Sequence, residues 1–129
     1  MTAHLTPGHT RGCTTWTTTV QDGGKTYNVV FVGSATVLPM YRLTTNPTYP
    51  GINEDFEKTF QVLKSLPCDV FLASHGSFYS LTEKRQAMAK NPAQNPFIDP
   101  AGYRAYIARA EANYQAALQR ERAQAPASN

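Results

Sequence analysis

Polar and apolar residues alternate from Thr14 to Val20 and again, less strictly, from Lys25 to Val32. A period of two marks strands with one buried face. Gln21-Asp22-Gly23-Gly24 lies between the two runs and tolerates positive φ, so the segment reads as a hairpin. Gly33 to Gly51 is a long irregular connection holding Pro39, Pro47 and Pro50; connections of this length are usually functional or disordered. The pattern then changes to a helical period. Phe56, Phe60 and Leu63 form the apolar stripe of a helix over about Asn53 to Ser65, with Asn53 as its expected N-cap, Glu54 and Asp55 in its first turn and Pro67 ending it. Asp69 to Ser74 reads as a short buried strand. Ser80-x-x-Glu83 has the form of a capping box for a short helix to about Lys90. Asp99 then caps a last helix that has Pro100 at its first position. Its stripe is Tyr103, Tyr106, Ile107, Ala110, Tyr114, Ala117 and Leu118. The polar tail from about Glu121 is expected to fray.

A hairpin, a helix, a strand and two further helices make an α/β arrangement, a mixed sheet with helices on one face. Composition narrows the function without deciding it. The chain has 129 residues, 41% of them hydrophobic, an ordinary globular balance. The formal net charge is +3, but the 12 lysines and arginines are scattered with no run of three, so no basic stripe tracks a phosphate backbone. No apolar run approaches the ~20 residues of a membrane span. Met1-Thr2-Ala3 leads straight into a strand, and no signal peptide is expected in this chain. Cys13 and Cys68 do not form a metal-binding Cys-x-x-Cys and read as two buried free thiols.

The residues with chemistry in them are histidines. In His4-Leu5-Thr6-Pro7-Gly8-His9-Thr10 a Pro-Gly turn sets the His9 imidazole at the tip of a tight loop, within reach of a metal or substrate. His75 ends the apolar run Val70-Phe71-Leu72 in Ala73-Ser74-His75-Gly76. Two histidines on loops at strand ends suggest zinc, which takes three or four ligands. His4 lies on the strand before the turn and reads as structural. Trp16 and Tyr27 read as core or cross-strand residues, and Phe78 and Met88 as packing. No nucleophile-elbow motif is present.

Thr6-Pro7-Gly8-His9-Thr10 with Gly12 and Trp16, then Gly33-Ser34, then Ala73-Ser74-His75, resembles the C-terminal half of a class B metallo-β-lactamase of the third subclass. The resemblance extends to Asn95-Pro96-Phe97-Ile98-Asp99-Pro100 and covers about Ala3 to Leu118. The Thr-Pro-Gly-His-Thr block alone indicates only the wider metallo-hydrolase superfamily; the order and spacing of the later blocks point to the subclass. The resemblance implies half of a four-layer αβ/βα sandwich, with a partial domain over 3–120 and a polar tail over 121–129.

It also implies hydrolysis of a β-lactam amide at two zinc ions without a covalent enzyme intermediate. His9 falls to the first zinc and His75 to the second. Ser34 and Thr36 carry hydroxyls toward the substrate carboxylate; loop hydroxyls bonded to backbone or water are the alternative. Family members carry a His-x-His-x-Asp-His block ahead of Thr-Pro-Gly-His. Here the only histidines are His4, His9 and His75, with neither His-x-His nor Asp-His, so each zinc is left with one family ligand. In many relatives a cysteine placed like Cys68 forms a disulfide; Tyr103 stands at its partner's position, so none is expected. The resemblance makes the parent protein periplasmic or secreted. The expected partners are a β-lactam, and a complementary N-terminal half or a second copy. The alternatives are another metallo-hydrolase of the same fold, acting on a thioester, lactone or phosphodiester, and a non-catalytic half-domain.

Overall fold

The computed structural model describes residues 1–124. Four strands form one sheet in the order β1 (Thr2–Leu5), β2 (Thr14–Asp22), β3 (Lys25–Val32), β4 (Val70–Ala73). The first three pair antiparallel, and β4 lies parallel to β3. The expected hairpin is present, turning at Gly23-Gly24. Helix α1 spans Ile52–Ser65, α2 Leu81–Lys90 and α3 Pro100–Gln124, and one turn of 3-10 helix (Gly76–Tyr79) joins β4 to α2. The α/β class and the mixed sheet with helices on one face are as expected.

Alternation divides the sheet. Val30, Val32 and Phe71 point to the helices, where they meet Phe56, Phe60 and Leu63 of α1 and the expected stripe of α3. Aromatic rings dominate this core: Phe56, Phe60 and Tyr114 lie with centroids 5.5 to 6.4 Å apart, and Phe71 meets Tyr103 and Tyr106 at 5.5 and 5.6 Å. Burying rings of this size is the largest source of stability available to so short a chain. The register puts the pairs Ala3–Trp16, Trp16–Phe31, Val20–Tyr27 and Phe31–Leu72 on the opposite face. On that face Leu5, Trp16 and Val20 are exposed. Trp16 and Tyr27 are thus cross-strand residues.

Two caps differ from expectation. Asn53 does not cap α1. The cap is Gly51, without a side-chain bond, and Asn53 lies inside the helix, where its amide oxygen accepts the Tyr114 hydroxyl. The helix starts earlier because Asn46 already closes the preceding turn, its side-chain oxygen accepting the N–H groups of Thr48 and Tyr49 at 3.1 and 2.9 Å. Ser80 and Glu83 make no capping box. Ser80 is left-handed (φ 58) because it also ends the 3-10 turn, its N–H bonded to Gly76. Side-chain capping needs an extended N-cap residue.

At α3 the expectation holds. Asp99 Oδ1 accepts the Gly102 N–H at 2.9 Å, with Pro100 opening the helix. Its other oxygen lies 2.9 Å from Lys84 Nζ. Lys84 is buried and makes no directed hydrogen bond, and its ammonium sits 5.5 to 6.0 Å from the ring centres of Phe71, Tyr79 and Phe97. Ion pairing and cation–π attraction together offset the desolvation of this charge. Burial opposes ionisation of Asp99, but the Lys84 and Gly102 contacts outweigh it and hold its carboxyl below the usual range.

The stretch expected to fray at Glu121 is helical to Gln124; residues 125–129 of the expected tail lie outside the described residues. Glu121 is a tether. Its carboxylate accepts the N–H groups of Leu43 and Thr44 at 2.7 and 2.9 Å and the Thr44 hydroxyl at 2.6 Å. The long 33–51 connection is therefore fastened to α3. Burial opposes ionisation of Glu121, but these donors, aided by Arg42, hold its carboxyl below the ordinary range. A depressed carboxyl contributes stability above its unfolded pKa and loses it as pH falls through the folded value. Glu121→Ala should cost about 1 to 2 kcal/mol in thermal melts at pH 7. The gap to the parent chain should shrink as the pH is taken below the carboxylate range; a gap that stays constant down to acid would contradict the tether.

Candidate metal centre

Both loop histidines lie at one edge of the sheet, where β1, β3 and β4 end. His9 follows the Pro7-Gly8 turn between β1 and β2. Thr6, Pro7 and Gly8 are buried, and the turn is locked from three sides. The Thr6 N–H donates to Cys13 O at 2.9 Å and the Gly8 N–H to Thr10 O at 3.0 Å. Thr59 of α1 donates its hydroxyl to Pro7 O at 2.5 Å. Gly8 has φ 130, and a Cβ there would stand 2.8 Å from the Phe56 ring. Only glycine fits both the conformation and the space.

The His9 ring is held as well. Nδ1 lies 2.8 Å from the Thr36 carbonyl oxygen. A carbonyl can only accept, so in the neutral ring Nδ1 carries the proton and Nε2 keeps its lone pair. This is the support that metal-ligating histidines use, one nitrogen donating to a carbonyl while the other binds. Tyr41 donates its hydroxyl to His9 O at 2.7 Å and sets its ring 6.0 Å from the imidazole.

His75 follows β4 in extended conformation (φ −121, ψ 135), with its carbonyl accepting the Phe78 N–H at 3.1 Å. Its imidazole is exposed and meets the Phe78 ring edge-on at 5.0 Å. The preceding Ser74 ties it to the segment that also holds His9. The Ser74 N–H donates to Val32 O at 3.0 Å, and the Ser74 hydroxyl donates to Gly33 O. Gly33–Thr36 is thus a strap, with the His75 loop bonded to its start and His9 to its end. A Cβ on Gly33 would stand 2.5 Å from Thr14 O, so the strap can cross β2 only with glycine there.

Ser34 is buried in this strap, its Oγ accepting the Thr36 N–H at 3.2 Å. Thr36 is half-buried. His4 bonds Thr17 Oγ1 at 2.8 Å within the sheet, away from the other two histidines. Neither cysteine is fully buried. The Cys13 thiol donates to Ser34 O at 3.3 Å, and burial pushes Cys68 up to about 12, so Cys68 offers no ready thiolate. Tyr103 donates its hydroxyl to Leu63 O at 2.6 Å.

Two carboxylates on neighbouring elements are occupied. Asp69 accepts the Asn28 N–H at 2.7 Å, and Asp55 accepts the Tyr49 hydroxyl at 2.6 Å. Burial and that bond raise Tyr49 to about 12. Among the described residues no group of three or more His, Cys, Asp or Glu converges as a metal site. The donor type of His9 fits zinc; the number of donors does not complete a shell.

No protein-family model matches the chain. Solved structures do. The native FEZ-1 metallo-β-lactamase from Legionella gormanii is 46% identical with a TM-score of 0.90, the match covering 94% of this chain and 46% of that one. The subclass B3 enzyme BJP-1 of Bradyrhizobium japonicum is 40% identical with a TM-score of 0.85, over 95% and 46% of the two chains. MEM-A1, a subclass B3 enzyme from a soil metagenome library, is 31% identical with a TM-score of 0.83, over 96% and 47%. The chain matches one half of the subclass B3 metallo-β-lactamase fold. It spans about half the length of these structures, as half of that family's fold. No described helix is long and apolar enough to cross a membrane.

Sequence reasoning did not single out Thr59, Tyr41 or Asn46. Thr59 had a signal, since it is a polar residue on the α1 stripe between Phe56 and Leu63. Tyr41 and Asn46 sit in an irregular segment where spacing carries no information.

The His9 tautomer can be measured directly. Long-range 15N–1H correlation on the zinc-free chain should show an Nδ1–H imidazole for His9. An Nε2–H ring would mean that the Thr36 bond does not form.

Proposed function

We propose that the protein to which this chain contributes about half hydrolyses the β-lactam amide at a zinc centre, and that the 129 residues alone hydrolyse it poorly or not at all. The observation that carries this is the His9 imidazole. Its Nδ1 is committed to Thr36 O, its Nε2 has no partner among the described residues, and His75 is tied to the other end of the same strap. Similarity to three solved metallo-β-lactamases supports the substrate class. His9 would hold the first zinc and His75 the second, each through a neutral imidazole. Bound zinc supplies Lewis-acid polarisation of a carbonyl and a water acidified to a pKa of about 7. The chain's own part is to orient the two rings through Thr36, Tyr41 and Ser74. Ser34 keeps a hydroxyl proton to donate, and with Thr36 it would meet the substrate carboxylate. The parent would work in the periplasm or outside the cell. A second reading, a non-catalytic half-domain, is favoured by the incomplete ligand set.

Calorimetric titration should show weak zinc binding, orders of magnitude short of a four-ligand site. It should be lost in the His9→Ala, His75→Ala double variant and hardly changed by His4→Ala. Nitrocefin should turn over slowly or not at all with zinc added. Tight binding of two zinc equivalents, or turnover near that of full-length family enzymes, would overturn the ligand assignment.

The second expectation concerns association. Leu5, Trp16 and Val20 leave an apolar sheet face open, and such patches promote contact once they exceed a few hundred Å². The chain should self-associate in sedimentation or bind a complementary N-terminal half, and Trp16→Lys should weaken both. A sharp monomer that unfolds cooperatively and binds no apolar dye would contradict this.

A further inference from the structure

Helix α2 carries a lysine where the middle of its apolar stripe should be. Leu81 and Met88 are half-buried and flank Lys84 on one helix face. Lys84 is the one buried residue of α2. Its aromatic surroundings come from three other elements: Phe71 of β4, Tyr79 of the 3-10 turn and Phe97 of the linker before α3. That linker is fixed to the sheet, the Phe71 N–H donating to Phe97 O at 3.2 Å and the Asp99 N–H to Asp69 O at 2.7 Å. Tyr79 is held by its ring, 6.1 Å from Phe71, 6.3 Å from Phe97 and 5.7 Å from Lys84 Nζ.

The two loop histidines are oriented by different means. A hydrogen bond to Thr36 holds the His9 ring. The exposed His75 ring makes no hydrogen bond among the described residues, and its contact is the edge of Phe78 at 5.0 Å. Phe78 belongs to the 3-10 turn and is backed by Tyr106 at 5.2 Å. The position of that turn therefore orients His75. Its last residue, Tyr79, is one wall around Lys84, and Ser80 leads straight from the turn into α2. Leu81 closes on Gly76, where a Cβ would stand 3.0 Å from it. Turn and helix are one unit, and Lys84 is the residue that α2 buries.

We propose that Lys84 is the positioning residue of His75. Its ammonium, paired with Asp99 and set over Phe71, Tyr79 and Phe97, clamps the turn and α2 to the sheet and so fixes the Phe78 ring against the imidazole. A desolvated ammonium is drawn to several ring faces at once, and its alkyl stem covers apolar surface on the way. A purely apolar side chain would supply the stem without the attraction. The proposal rests on the zinc reading only in giving the His75 imidazole a ligand's role.

The test uses the whole chain in EDTA and reads amide hydrogen exchange together with the histidine ring-proton resonances. Lys84→Met keeps the length of the side chain and removes its charge. Exchange should quicken about tenfold or more at the Phe78 amide and at that of position 84, whose acceptors are His75 O and Ser80 O. The His75 ring protons should lose the shift that Phe78 imposes. The Thr6 and Gly8 amides and the His9 ring should not change. Lys84→Arg, which keeps the cation, should restore most of the protection. Phe97→Leu, which removes one ring and leaves the ion pair, should give the same pattern more weakly, and it decides the matter if Lys84→Met does not fold. Uniform acceleration along the chain, unchanged exchange and His75 resonances, or a Lys84→Arg chain that exchanges like Lys84→Met overturns the proposal. No zinc or turnover enters these measurements. A failed zinc titration therefore leaves the proposal standing, and its own failure leaves the zinc reading standing.

Discussion

The contact between Gly8 and the face of Phe56 is the constraint on which most of this structure depends. Phe56 is wholly buried and stacks among Phe60 and Tyr114, so it cannot move without disturbing the core. The space it leaves above its ring admits a backbone and no side chain. The Pro7-Gly8 turn fills that space, and Thr59 on the same helix binds the Pro7 carbonyl. A loop that would otherwise be mobile becomes an extension of the core, and His9 inherits its rigidity. Close-packed interiors transmit position in this way because they have no room to adjust.

The strap from Gly33 to Thr36 carries that order across the sheet edge. It leaves β3, passes over β2 with no clearance at Gly33, and bonds one histidine loop at each end. A ring held by a backbone carbonyl, as His9 is by Thr36, keeps its orientation. The 33–51 connection would be a weak anchor by itself. Glu121 ties it to α3, Arg11 donates to Thr48 O at 3.1 Å while lying 4.8 Å from the Tyr49 ring centre, and Tyr41 returns to His9. An irregular segment is ordered here by charge-assisted hydrogen bonds where periodic ones are lacking.

The two faces of the sheet are treated differently. One is closed by three helices and stabilised by aromatic rings, with even a lysine charge enclosed among Phe71, Tyr79 and Phe97. The other presents Leu5, Trp16 and Val20 to solvent. A sheet with both faces apolar is the pattern of a layer within a larger sandwich, and the chain spans about half the length of the metallo-β-lactamases it matches.

Periodicity in the sequence was enough to determine the hairpin, the three helices, the α3 stripe and the parallel-strand segment before His75. Each is set by local spacing and burial, which a linear chain records. The Thr-Pro-Gly-His and Ser-His blocks pointed to the metallo-β-lactamase fold for the same reason, since a short motif states its own geometry. The caps were less legible. Asn53 and Ser80-x-x-Glu83 have capping chemistry, but Asn46 closed one turn first and the 3-10 turn forced Ser80 left-handed. Only the tertiary structure decided that Thr36 fixes the His9 tautomer, that Ser34 is buried, that Glu121 is a tether, and that Lys84 meets Asp99 and Phe71. These pairs are far apart in sequence, and their meeting depends on how the helices pack on the sheet, which no local pattern encodes.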